Sequence, residues 1–211
     1  MISADLNPVA TDKAKGKTAV VACGALANHI HDISQRRNWN LHVEPVNPLL
    51  HNRPEGIAPE VEKLVQQLSG DYEKVAVAYA DCGTYGALDK VCEKFGVQRL
   101  SGDHCYDVFA TAERMRKEFE KEPGTYVFTD YLVKSFRRSV MQEMGLEKYP
   151  ELRDDYFHAY KRIIWLAQHQ TPELLAAALD AAELLSLPLE IIEVGDEYLE
   201  EQLKALVEES K

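Results

Sequence analysis

Strands alternating with helices along the whole chain predict an α/β fold. Its core would be a doubly wound, mostly parallel sheet of six or seven strands with helices on both faces. Three observations carry this expectation. Short apolar runs recur, most clearly in Thr18–Cys23 (TAVVAC) and 74–80 (KVAVAYA). Amphipathic segments of helical length separate them. No Gly/Ser linker, low-complexity stretch or solenoid repeat interrupts the alternation. The 211 residues are therefore expected to form a single α/β domain, with residues 1–17 as a loosely ordered arm.

The first run, Thr18–Cys23, reads as a buried strand that leads into a helix over 25–36. Leu41–Val46 (LHVEPV) is a weaker strand, and its Pro45 demotes it to a sheet edge, because proline has no N–H for a ladder. A polar loop, NPLLHNRPEG, precedes a helix over 59–68 with Pro59 in its first turn. The strand at 74–80 ends in Asp81-Cys82-Gly83, and a helix follows over 85–95. A short strand at 97–100 leads to the loop SGDHC (101–105) and a charged helix over 110–122. Strand 125–128, helix 131–144, strand Arg162–Ala167, helix 171–185, strand 189–194 and helix Glu197–Glu208 complete the alternation. Thr171-Pro172-Glu173 is an N-cap signature. The part from Arg162 to Leu203 is expected to be scaffold on the edge of the same sheet, with Leu179 in the core stripe of its helix.

Charge narrows the function classes. A formal net charge of −11 repels phosphate backbones and anionic lipid, so neither nucleic acid nor membrane is expected as a partner. No apolar run approaches the ~18–20 residues that span a bilayer. Residues 1–17 show no apolar signal-peptide core, so a cytoplasmic location is expected. Four cysteines in a reducing compartment read as thiols or metal ligands rather than disulfides.

In open parallel sheets ligands bind outside the carboxyl ends of the strands. Cys23, Cys82 and Cys105 all follow predicted strands, whereas Cys92 falls on the apolar stripe Leu88, Val91, Cys92, Phe95 of a helix and reads as a small buried hydrophobe. Cys23 and Cys82 also sit where helices are expected to begin, which favours a thiolate. Gly24 and Gly83 would let the backbone approach a bound cofactor. Thiolates suit zinc or an iron–sulfur cluster. No Cys-x-x-Cys pair exists, so three half-buried thiols packed under loops are the bland alternative.

Of the other polar residues near these ends, His51 lies in a polar loop with no evident packing role. It is a candidate fourth ligand or catalytic group, or else only fixes its loop. Asp81 is a candidate proton shuttle, with helix capping as the alternative, and Asp130 reads as a cap. The GxGxxG, GxxxxGK[ST] and GxSxG signatures are absent.

The segments CGAL (23–26), LLHNRPEGI (49–57), YADCGTYGALD (79–89), GDHCYDVF (102–109), PGTYVFTDYLVKSF (123–136) and YFHAYKRIIWLAQ (156–168) together resemble the family catalogued as domain of unknown function 1638, found in bacteria and archaea. The resemblance runs from residue 18 to about 203. Its motifs include cysteines at Cys23, Cys82 and Cys105 and none at Cys92. It implies a link to corrinoid-dependent methyltransferases, near which members are encoded, and it names no activity.

These readings converge on a metalloprotein in which Cys23, Cys82 and Cys105 meet at one centre. That centre is a [4Fe–4S] cluster with one open iron, favoured because widely spaced thiolates surround a larger object more easily, or a zinc ion. The protein would be a metal-dependent lyase or transferase that activates a small molecule in sulfur or methyl transfer. The alternatives are a non-enzymatic metal- or corrinoid-binding accessory protein and a thiol enzyme with Cys82 as nucleophile beside Asp81.

Overall fold

The computed structural model describes residues 18–208. The arm expected over residues 1–17 lies outside the described residues. The chain divides into two compact units: the part up to Ser101 together with the stretch from Gln202, and Gly102–Glu201.

The first unit begins with strand β1 (Thr18–Cys23), helix α1 (Ala27–Arg36) and strand β2 (Leu41–Val46). Two short 3-10 turns, Pro48–Asn52 and Pro54–Gly56, then lead into helix α2 (Ile57–Leu68), strand β3 (Lys74–Ala78) and helix α3 (Ala87–Phe95). The three strands pair in the order β2-β1-β3, all parallel. The most continuous apolar run is thus the central strand, buried on both faces, as parallel sheets require. Pro45 lies on the edge strand, where its missing N–H breaks no ladder. Ile30 and Ile33 of α1 are fully buried, each contributing about 1.5–3 kcal/mol. Because β2 and β3 lie on opposite sides of β1, the chain reverses its winding there. This is the switch point that opens a crevice at the carboxyl ends of β1 and β3.

The second unit contains helices α4 (Asp107–Ala110) and α5 (Ala112–Lys121), strand β4 (Thr125–Thr129) and helix α6 (Asp130–Phe136), which runs into π-helical turns over Arg137–Gln142. Helix α7 (Leu152–Phe157), strand β5 (Arg162–Ala167), helix α8 (Pro172–Leu185) and strand β6 (Leu189–Glu193) follow. Helix α9 (Glu197–Glu208) begins in this unit, and from Gln202 it belongs to the first. The strand order is β4-β5-β6, again parallel. Strand alternation divides this core into two layers. Phe128, Ile163, Trp165 and Ala167 pack with α6 and α8 residues. Ile164 and Leu166 point the other way, toward Ala110 and Met115 of α4 and α5.

The expected single sheet of six or seven strands is therefore corrected to two sheets of three. The run at 97–100 forms only one bridge, Val77 to Arg99. Val77 N–H donates to Gln98 O, and Leu100 N–H donates to Val77 O, and the ladder stops there. Strand β5 is likewise the centre of its own sheet rather than an added edge. Leu179 is 53 % exposed; the buried stripe of α8 is Leu174, Ala178, Ala181, Ala182 and Leu185. The Thr171 cap forms as expected, its hydroxyl accepting from the Leu174 N–H at 3.2 Å. Among the described residues no helix is long and apolar enough to cross a membrane.

Candidate metal centre

The reversal at β1 places Cys23 and the Cys82 loop at the two strand ends that flank the crevice of the first sheet. Cys23 is the last residue of β1 and is fully buried. The turn that follows is tight: Gly24 N–H donates to Val46 O and Leu26 N–H to Cys23 O. A Cβ at Gly24 would lie 2.5 Å from Val46 O and 2.7 Å from Pro48 Cδ. Glycine there lets the ends of β1 and β2 close together, and the His51 turn is packed on them.

His51 reaches into this corner from the turn Pro48–Asn52. Its Nδ1 lies 2.9 Å from Pro48 O. A carbonyl can only accept, so Nδ1 carries the proton and Nε2 faces the thiols. Cys23 Sγ is 3.8 Å from Nε2, and Cys82 also hydrogen-bonds the His51 side chain. The buried ring of Tyr79 stacks beneath the imidazole, centroids 5.7 Å apart. Residue 51 is exposed, with Tyr79 on one face of its ring and Cys23 at Nε2. Burial alone would lower its pKa. The bonds to Cys23 and Cys82 and the charge on both thiolates outweigh burial and raise it to about 11.

Cys82 is held in a strained loop. Its φ is 49° and that of Tyr85 is 51°, a left-handed conformation that costs a non-glycine residue about 1–2 kcal/mol. Asp81 holds this loop in place. It accepts from Thr84 Oγ1 at 2.7 Å and from the N–H groups of Tyr85 and Gly86 at 3.0 Å each. Burial would raise the Asp81 pKa, but these three donors outweigh it and hold the carboxyl below its ordinary range. Gly83 supplies another positive φ, 83°, in the same loop.

All of these positions, with the other segments whose pattern marked the chain, fall within residues 18–203, which match the family described as "Protein of unknown function (DUF1638)". The chain belongs to this family. No curated protein and no solved structure matches it.

In this DUF1638 chain the expectation that Cys23 and Cys82 open their helices is corrected. Helix α1 begins at Ala27 after its cap Leu26, and α3 begins at Ala87 after its cap Gly86. Both thiols precede the first turn, and the neighbour that bonds them is the His51 ring rather than a helix end. Cys92 lies on the buried face of α3, and burial pushes its thiol up to about 11.

Cys105 belongs to the second unit, half-buried in the loop before α4. That loop turns on Asp107, which is 5 % exposed and accepts from the N–H groups of Asp103 and His104 at 3.0 and 2.9 Å. His104 stacks on Tyr106, centroids 4.7 Å apart. Asp130 is not the cap of α6. Thr129 caps it, while Asp130 accepts from Trp165 Nε1 and from the N–H groups of Gln168 and His169.

The sequence reading passed over Pro48 as the carbonyl that orients His51 and Asp107 as the organiser of the Cys105 loop. A proline carbonyl leaves no trace in a residue pattern. The Asp107 signal, an acid four residues beyond Gly102-Asp103, is shared with ordinary helix starts.

Proposed function

We propose that the Cys23–Cys82–His51 corner holds a single zinc ion. The observation that carries the zinc reading is the 3.8 Å between Cys23 Sγ and His51 Nε2. A thiolate at ~2.3 Å and an imidazole nitrogen at ~2.0–2.1 Å on a tetrahedral zinc lie about 3.6 Å apart. The Nδ1–carbonyl bond is the outer-shell contact that metal-ligating histidines use. A [4Fe–4S] cluster spreads its protein ligands over separate irons, which suits two side chains this close less well. The assignment of Gly24 and Gly83 to cofactor binding is replaced here by a role in shaping the loops that carry the ligands.

In this reading the protein is a metal-dependent transferase acting on a small thiol or methyl donor. Zinc supplies Lewis acidity and lowers the pKa of a bound thiol. Cys23, Cys82 and His51 would hold the ion, and His51, on a surface turn, is the base at hand that could hold the proton of an incoming thiol. Asp81 positions Cys82 rather than shuttling protons, because both of its oxygens are engaged by its own loop. That same observation favours a second reading, an accessory protein that carries a metal or corrinoid to a methyltransferase, since an accessory protein needs no acid–base pair.

Metal analysis after anaerobic reconstitution, combined with cobalt substitution, tests the centre. The expected result is one zinc per chain and a cobalt form with thiolate-to-metal charge-transfer bands, both lost in Cys23→Ser and Cys82→Ser. A brown, air-bleached chromophore would replace zinc with the cluster. Failure to bind either metal stoichiometrically would overturn the proposal. Methyl or sulfur transfer to a thiol by the zinc form separates the enzyme from the accessory protein.

A further inference from the structure

The second unit has its own polar cluster at the carboxyl ends of β5 and β6, and it contains no cysteine. His169 follows β5 and Asp196 follows β6. His169 Nε2 lies 3.4 Å from Asp196 Oδ2. The His169 side chain is 52 % exposed and that of Asp196 only 5 %, so a half-exposed imidazole sits against a carboxyl group withdrawn from water.

The segment carrying His169 is fixed in place. Asp130, 2 % exposed, accepts from the His169 N–H at 2.7 Å, the Gln168 N–H at 3.1 Å and Trp165 Nε1 at 2.9 Å. Gln168 Oε1 accepts in return from the Asp130 N–H. The β6 end is tied to the same strand, with the N–H groups of Val194 and Gly195 both donating to Ala167 O. The two side chains are thus presented by backbone that is locked on either side of the pair, the pre-organisation that a ligand site needs.

From this geometry we infer that His169 and Asp196 form a second metal site, for a divalent first-row ion that prefers nitrogen and oxygen donors. Charge-assisted contacts between an imidazolium and a carboxylate usually close to about 2.7–2.9 Å. The 3.4 Å seen here is longer, and it equals the edge of a coordination tetrahedron. A nitrogen and a carboxylate oxygen, each ~2.0–2.1 Å from zinc, lie roughly 3.3–3.4 Å apart. An ion between them neutralises a carboxylate that is costly to keep out of water. It also leaves coordination positions for water or a small anionic ligand. Imidazole plus carboxylate suits Zn²⁺, Co²⁺ and Ni²⁺. The site is independent of the thiolate centre and uses none of its residues.

Cobalt reports on both sites separately. The full chain carrying Cys23→Ser and Cys82→Ser is titrated with Co²⁺ and followed by equilibrium dialysis and visible absorption. One bound cobalt is expected, with weak d–d bands and no thiolate charge transfer. His169→Ala, an exposed position, should abolish that binding while circular dichroism stays unchanged. Asp196→Asn, which exchanges a charged ligand oxygen for a neutral amide oxygen, should weaken it more than tenfold. The inference is overturned if the double serine variant binds no cobalt, or if binding survives His169→Ala. In the unaltered protein, thiolate bands without the d–d component lost on His169→Ala would remove this site and keep the first. The reverse would keep this site and remove the first.

Discussion

Cys23 Sγ and His51 Nε2 are separated by 3.8 Å, and the opposite ring nitrogen is anchored to Pro48 O. The anchor fixes which nitrogen meets the sulfur, so the pair has one geometry before any ligand arrives. A metal entering this corner displaces a proton rather than rearranging a loop.

Proton release on metal binding follows from that geometry. Without metal His51 holds its proton up to about pH 11, and only the neutral ring coordinates. Zinc binding at pH 7 should therefore release the His51 proton and weaken as pH falls. Calorimetry in buffers of different ionisation enthalpy measures the released protons, and His51→Ala should release fewer. The stability sign in the metal-free protein is opposite to that of a buried acid. The folded value lies above the unfolded value of ~6.5. The imidazolium's contribution to stability is therefore full below ~6.5 and is lost as pH rises through about 11. Denaturant midpoints of the metal-free protein between pH 6 and 11 should fall more for the parent than for His51→Ala.

The two kinds of cysteine should separate under substitution. Cys82→Ser removes a soft ligand at constant size, so zinc should be lost with little change in the fold. Cys92→Ser puts a hydroxyl on the buried face of α3, at a cost of about 1–3 kcal/mol, and zinc should stay. Metal content and urea midpoints of the two variants check this. Zinc loss in Cys92→Ser alone would reverse the assignment.

Much of this division was legible beforehand, and the limits have physical causes. Cys92 could be assigned because its i, i+3, i+4 spacing with Leu88 and Val91 is a property of one helix. The central strands β1 and β5 are the most uninterrupted apolar runs, since burial on both faces leaves no room for alternation. What sequence could not give was sheet membership. A parallel strand looks the same whichever sheet it joins, and 97–100 reads as a strand although only Arg99 pairs. Nor could it show that Cys82 precedes its helix by a strained loop, because a positive φ at Cys82 and Tyr85 leaves no mark on residue type when the residue is not glycine.

Helix α8 gives a test of side-chain direction. Leu179 is 53 % exposed, whereas Leu185 is 3 % exposed within the core on that face of the second sheet. Leu179→Asp should change stability by no more than about 0.5 kcal/mol, the usual range at an exposed position. Leu185→Ala should cost about 2–5 kcal/mol through lost burial and the cavity left behind. Equal effects in thermal unfolding would mean that the helix is rotated from the orientation described.

In the proposed centre, the Asp81 loop would link the fold to the metal through pH. Its carboxyl accepts one hydroxyl and two N–H donors, and these bonds hold its pKa below the ordinary value. A folded-state pKa below the unfolded value of ~3.9 means that the ionised form stabilises the fold. That contribution is present above pH ~3.9 and disappears as pH falls through the folded value. Asp81→Asn keeps one acceptor oxygen but loses the charge, so its stability should vary less with pH than the parent's on the acid side. The strained φ values of Cys82 and Tyr85 then have a weaker clamp, and the Cys82 sulfur loses its fixed approach to His51. The variant should bind zinc more weakly at pH 7, in the range of about 10–100-fold that loss of an outer-shell contact produces. Competition with a chelator measures the affinity, and acid unfolding curves measure the stability. An unchanged zinc affinity with a flattened acid limb would make Asp81 a fold element alone. Both unchanged would remove it from the site.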